Sequence, residues 1–201
     1  MKSELLVAAI AYLLGNIQTS YLIGRYFKKT DIREHGSGNA GTTNALRVFG
    51  KKIAIITLLV DALKGVAAVY IGMNLGGLGL DGGLFAGIAV IVGHNWPFYL
   101  KFRGGKGVAT SIGVGLAISP LSALISIAIG ISIIAKSKYV SLGSIVAITI
   151  WPFLNILVRG SFEPKLFVFG IIMATMSIYK HRENIKRLAN KTENRLGQKK
   201  S

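Results

Sequence analysis

The chain of 201 residues contains no cysteine. That one absence excludes a disulfide framework, a thiol nucleophile and a thiolate metal site. Acidic residues are nearly as scarce, eight Asp and Glu in all, so a magnesium site built on two or three carboxylates is not expected. Charged residues make up 16% of the chain and hydrophobic residues 51%, where soluble domains carry ~25% charge. Disorder, a collagen-like repeat, a coiled coil and an ordinary soluble enzyme are thereby excluded. What charge there is has mostly one sign. Twenty-four Lys and Arg leave a formal net charge of +16, and such an excess in so apolar a chain needs a partner or a side of a membrane.

Apolar length is what the chain has instead, with a mean hydropathy of +0.53. Apolar runs occupy 5–24, 53–72, 84–100, 107–119, 121–135, 142–158 and 166–179, and a run of about 20 such residues spans a bilayer as a helix. The first run is not read as a signal peptide. It carries Asn16, Gln18, Thr19 and Ser20 near its end, and the rest of the chain is as membrane-like as its start. The two runs divided at Pro120 could form one kinked helix or two short ones, and the basic residues decide. With seven spans, the N-terminus outside and the C-terminus in the cytoplasm, every Lys and Arg except Lys2, Lys64, Arg159 and Lys165 falls on the cytoplasmic side. The expected fold is therefore all-α: a polytopic membrane protein of seven transmembrane helices, one integral membrane domain over 1–201 with its motif loops at the cytoplasmic face. Nucleic acid is not an expected partner, because the charges are spread over thin loops. The bilayer is.

Function in such a chain is sought where polar groups stand against the cost of burying them. In the loop from His35 to Arg47, Gly36, Gly38 and Gly41 permit turns whose N–H groups converge on an anion. Ser37, Asn39, Thr42, Thr43 and Asn44 add short donors, and Arg47 adds a fork that holds a phosphate bidentately. Asp61 and Lys64 lie three apart inside the second run, so they share a helix face. They form either a structural ion pair or a place where Lys64 meets a substrate phosphate. Gly104, Gly105, Lys106 and Gly107 open the fourth run, and a glycine-rich turn at a helix N-terminus attracts anions. The Walker A spacing fails and no strand precedes it. His94, near the end of the third run, could act as a base, as a phosphate donor or as an interfacial hydrogen-bonding residue. In the basic tail from His181 to Arg195, Asn184 is the residue that a purely electrostatic surface helix would not require. Phosphate-binding donors beside lipid imply a substrate with an anionic head and an oily tail.

These elements resemble the bacterial membrane glycerol-3-phosphate acyltransferases that use acyl-phosphate, the PlsY family. The resemblance rests on Gly36-Ser-Gly-Asn-x-Gly-x-Thr-Asn-x-x-Arg47, Asp61-x-x-Lys-Gly65, Gly93-His94 with Pro97, Phe102-x-Gly-Gly-Lys-Gly-Val-Ala-Thr110 and His181-Arg-Glu-Asn-Ile-x-Arg-Leu188. One position departs: Lys191 stands where the pattern leads one to expect a glycine. The resemblance implies transfer of an acyl group from acyl-phosphate to the 1-hydroxyl of sn-glycerol 3-phosphate. Lysophosphatidate and phosphate would be the products, formed by a monomer without cofactor or metal in the bacterial inner membrane.

Ser37, His94, Lys106 and Asn184 are the implied catalytic residues. Gly36, Gly38, Asn39, Gly41, Thr42, Thr43, Asn44, Arg47, Lys64, Gly104, Gly105, Gly107 and His181 are the implied substrate contacts. The base would be His94 or an oxygen of a substrate phosphate. The H-x-x-x-x-D motif of acyl-CoA-type acyltransferases is absent, since Ala40, Tyr99 and Lys186 take its aspartate position after the three histidines. A small transporter of phosphate or organic anions is the rival reading. Against it, no inverted repeat is visible and the donors gather on one face.

Overall fold

Backbone polar groups have no partners in hydrocarbon except one another, so each apolar run must close its own hydrogen bonds. Each of the seven runs contains an α-helix, and the first contains two. The computed structural model describes residues 2–197, and no strand occurs among them. Lys199 and Lys200, counted in the cytoplasmic tail, lie outside the described residues. The chain divides into two compact units, 1–118 and 119–201.

The first unit holds α1 (Lys2–Gly15), α2 (Thr19–Phe27), α3 (Thr42–Phe49), α4 (Lys51–Asn74), α5 (Gly79–Asn95) and α6 (Val108–Ile118). α4 packs on α5 and α6, and α1 on α5. Small residues let these backbones approach closely. A Cβ added at Gly93 would overlap the Tyr12 carbonyl, and one at Gly113 would overlap that of Ala62. The first apolar run is not one straight helix. α1 and α2 meet at 45° around Asn16, Ile17 and Gln18, where the Ile17 carbonyl and the Asn16 and Gln18 side chains bond to other segments.

The second unit holds α7 (Pro120–Ser137), α8 (Val140–Arg159), α9 (Pro164–Lys180) and α10 (Arg182–Ala189). Pro120 at the first position of α7 starts that helix, since its missing N–H would be unpaired there anyway. α7 and α8 pack as a hairpin, with Gly130 against Gly143 and Ser126 Oγ donating to the Ala147 carbonyl.

Four helical segments are long and apolar enough to cross a membrane: Lys51–Asn74, Gly79–Leu100, Pro120–Ser137 and Val140–Arg159. The bent pair α1–α2 makes a fifth if it counts as one span. α6 has 11 residues, about 16 Å at the helical rise, roughly half the hydrocarbon thickness of about 30 Å. α9 has 17 residues. By length and composition four helices, or five with the bent pair, qualify as spans on their own, where the sequence expectation is seven.

Candidate active site

The first glycine loop is shaped by a single buried side chain. Asn44, 2% exposed, accepts the Ser37 N–H at its Oδ1 (2.8 Å) and donates from Nδ2 to the carbonyls of Ile32 (3.1 Å) and His35 (3.0 Å). Gly36 takes φ +63° and Gly38 φ +71°, a left-handed backbone that L side chains resist. At Gly36 there is also no room, because a Cβ would overlap Asn44 Oδ1. Asn44, expected at the substrate, thus holds the loop from beneath. Ser37, Gly36, Gly38 and Arg47 are exposed above it, while Asn39, Gly41, Thr42 and Thr43 are half-buried. α3 starts at Thr42, with Gly41 as its N-cap.

Beneath the loop lie Ile32, Ala40, Ala45 and Ala54, flanked by Tyr21 and Phe49. Arg33, which sequence reasoning did not single out, ties this loop to the next. Its guanidinium pairs with Asp31 (2.7 Å), sits 4.9 Å from the centre of the Tyr21 ring and donates to the Leu100 carbonyl (3.3 Å). The hydrogen bond from Arg33 holds the Asp31 carboxyl below its usual range, and Asp31 in turn raises the guanidinium.

The second glycine turn folds back on the end of α5. The Gly105 N–H donates to the His94 carbonyl (3.1 Å) and the Gly104 N–H to that of Asn95 (3.3 Å). Added Cβ atoms would overlap the His94 carbonyl at Gly104 and the His94 ring at Nε2 at Gly105. Gly107 takes φ +75° and leads into α6, where Ser111 N–H bonds its carbonyl (2.7 Å). Half-buried Lys106 therefore stands between buried glycines just ahead of a helix N-terminus, whose first N–H groups lack intrahelical partners.

Below this turn lies a buried polar cluster. Lys64, Asp61 and His94 are 4%, 1% and 3% exposed. Lys64 Nζ reaches Asp61 Oδ1 (2.8 Å), the Ile17 carbonyl (2.5 Å) and His94 Nδ1 (2.8 Å). Thr19 Oγ1 also donates to Asp61 Oδ1 (3.1 Å), and Gln18 Nε2 to the His94 carbonyl (2.9 Å). Asn16 accepts the Phe98 N–H at Oδ1 (3.1 Å) and the Tyr99 hydroxyl at its carbonyl (2.9 Å). The break between α1 and α2 is thus sewn to α4 and to the end of α5. Of the two sequence readings of Lys64, the geometry supplies the ion pair.

Asn184 and His181 belong to the second unit. His181 Nδ1 lies 2.8 Å from the Ser177 carbonyl and so carries its proton there. Glu193, which sequence reasoning missed, accepts from Asn184 Nδ2 (2.7 Å) and Ser141 Oγ (3.0 Å) at one oxygen and from Arg187 Nε (2.7 Å) at the other. Burial alone would raise its pKa, but the bonds from Asn184, Arg187 and Ser141 outweigh burial and hold it below the ordinary value. Standing as one of two acids in a basic tail was its only signal. Among the described residues no three His, Asp or Glu side chains gather into a group that could hold a metal ion.

A family model described as glycerol-3-phosphate acyltransferase matches residues 5–191. A glycerol-3-phosphate acyltransferase of Thermoanaerobacter pseudethanolicus is 52% identical over 194 residues, covering 96% of both chains. One of Clostridioides difficile is 48% identical over 202 residues, covering 98% of both. A crystal structure of PlsY, an integral membrane glycerol 3-phosphate acyltransferase in its glycerol 3-phosphate form, superposes with a TM-score of 0.89 at 40% identity. The match covers 97% of this chain and 96% of that one.

Proposed function

The chain belongs to the glycerol-3-phosphate acyltransferase family, the PlsY type, and on that premise we propose a donor, a site and a topology for it. It is a multi-pass membrane enzyme that transfers an acyl group to glycerol 3-phosphate. The transporter reading falls with that membership.

The donor is acyl-phosphate. Its carbonyl is already activated and phosphate is a good leaving group, so the fold needs no covalent nucleophile. The acceptor hydroxyl oxygen bonds the acyl carbon, the bond from that carbon to the phosphate oxygen breaks, and the hydroxyl proton leaves on phosphate. A substrate phosphate oxygen is the base, because His94 Nδ1 is occupied by Lys64. The products are lysophosphatidate and inorganic phosphate.

Two anions must be brought together here, and their mutual repulsion is offset by cations and oriented N–H groups. The loop at 36–43 takes the acyl-phosphate, with Ser37, Asn39 and Thr43 as donors. Arg47 and Lys106 hold the two phosphates. The observation that carries this reading is the construction of the loops: Asn44 and His94 hold two glycine turns from below and leave Ser37 and Arg47 exposed. The enzyme works as a monomer in the bacterial inner membrane, as one domain with seven spans, its N-terminus outside and its motif loops in the cytoplasm.

Purified protein should release phosphate from acyl-phosphate only when glycerol 3-phosphate is added, should do so in excess chelator, and should reject acyl-CoA. Efficient use of acyl-CoA would overturn the donor, and an acyl-protein adduct discharged by glycerol 3-phosphate would overturn direct transfer. Single cysteines at Ser37 and Ser161 should label from opposite faces of the membrane. Labelling from one face would break the topology.

A further inference from the structure

An ammonium group has three protons and no lone pair. Around Lys64 Nζ stand three acceptors within 2.8 Å: Asp61 Oδ1, the Ile17 carbonyl and His94 Nδ1. Every proton has its acceptor, and none is left for a substrate phosphate. His94 Nδ1 must then accept, and a neutral imidazole that accepts at Nδ1 carries its proton at Nε2. That nitrogen abuts Gly105, at the point where a Cβ would overlap it. The same histidine holds the Gly105 N–H on its carbonyl, which Gln18 also bonds. One buried residue therefore grips Gly105 twice, by its ring edge and by its backbone.

The pieces of this cluster come from three places: the break between α1 and α2 (Ile17, Gln18, Thr19), the middle of α4 (Asp61, Lys64) and the end of α5 (His94). Hydrophobic residues of similar shape would stabilise such positions as well or better. An ion pair held there needs a reason beyond stability, and its contacts supply one.

We propose that Asp61, Lys64 and His94 form a positioning relay for the anion-binding turn. Asp61 anchors the ammonium, the ammonium fixes the His94 tautomer and ring orientation, and His94 holds Gly104–Gly105 so that Lys106 and the start of α6 keep the shape that receives phosphate. Lys64 and His94 are positioning residues and do not touch substrate. This inference rests on the reading of residues 104–107 as an anion turn.

Two measurements test it. In protein labelled with 15N-histidine, the His94 resonance, identified by its loss in His94→Gln, should report the neutral Nε2–H tautomer. An Nδ1–H tautomer would overturn the relay. The second measurement is a double-mutant cycle. Asp61→Asn/Lys64→Met keeps the cluster neutral and should lower kcat/KM about 10–100-fold, the range for lost outer-shell partners. In a Lys106→Ala background the same pair should cost little more, because residues acting through one group are not additive. Multiplying losses would mean that Lys64 meets substrate directly, and unchanged activity in folded Asp61→Asn/Lys64→Met would mean a structural pair only. Either result sinks the proposal. Full activity of Lys106→Ala would sink the anion-turn reading while leaving the tautomer intact, so the two failures are told apart. Should the paired variant not fold, the tautomer in the unsubstituted protein still decides.

Discussion

The molecule buries two carboxylates, one in each unit, and treats them differently. Asp61 lies mid-helix in α4, three residues from its cation, and both are almost fully buried. Glu193 lies in the chain beyond α10, and its partners are Ser141 of α8 and Asn184 and half-buried Arg187 of α10. The first pair adjoins the glycine turn at 104–107 through His94. The second closes the tail, which also donates the Leu196 N–H to the Lys138 carbonyl (2.8 Å) at the α7–α8 corner. The contrast is one of solvent. A charge sealed in a lipid-spanning segment cannot be rescued by water when its partner goes, whereas one near a wet surface can be.

The sharpest way to break that contrast is to remove one cation. Lys64→Met alone leaves Asp61 buried and unpaired, and should cost about 3–5 kcal/mol of stability, read as a fall in the midpoint of unfolding in detergent. A loss no larger than that of Arg187→Met would show that the two sites are equally hydrated. Next in size are the two proposed anion holders, exposed Arg47 and half-buried Lys106. Arg47→Ala or Lys106→Ala should leave folding intact and remove about 2.7–4 kcal/mol of transition-state stabilisation, as loss of one well-placed donor does. Near-normal kcat/KM in either would take that residue out of the site.

Glu193 offers a pH test. Its native pKa lies below the unfolded value, so its contribution is fully present above the ordinary carboxylate range and is lost as pH falls through the native value. Glu193→Gln should cost about 1.5–3 kcal/mol at neutral pH through the weakened bond to Arg187. It should also flatten the acid limb of the stability curve, and an unchanged limb would show that other carboxylates set it. The smallest expected effect is at Lys191, where φ is +58°. Lys191→Gly should stabilise the tail by about 1 kcal/mol, the penalty of a left-handed L residue, measured by thermal unfolding. The position that departs from the family pattern is thus one where the backbone wants the glycine that the pattern led one to expect.

Much of the first unit's local geometry could be read from residue types. Glycines at 36, 38 and 107 signalled turns, and each takes a positive φ. Asp61 and Lys64, three apart, signalled a shared face. Asn44 was readable as important but not in its role, because a side chain that binds its own loop and one that binds a ligand look alike in a sequence. Glu193 and Arg33 were missed for a related reason. Each works through a partner distant in the chain, Ser141 lying 52 positions from Glu193 and Leu100 lying 67 from Arg33.

What the sequence alone determined were the helices, the membrane and the glycine turns. Each follows from local physics: apolar runs that must satisfy their own hydrogen bonds in lipid, and glycines that reach left-handed backbone. Only the tertiary structure decided where the first span breaks and which way Lys64 points. The 45° bend at residues 16–18 exists because Lys64, 47 positions on, takes the Ile17 carbonyl and Gln18 takes that of His94. A freed backbone carbonyl is tolerated in a membrane only where another segment supplies a donor, and that supply depends on packing rather than on neighbours in sequence.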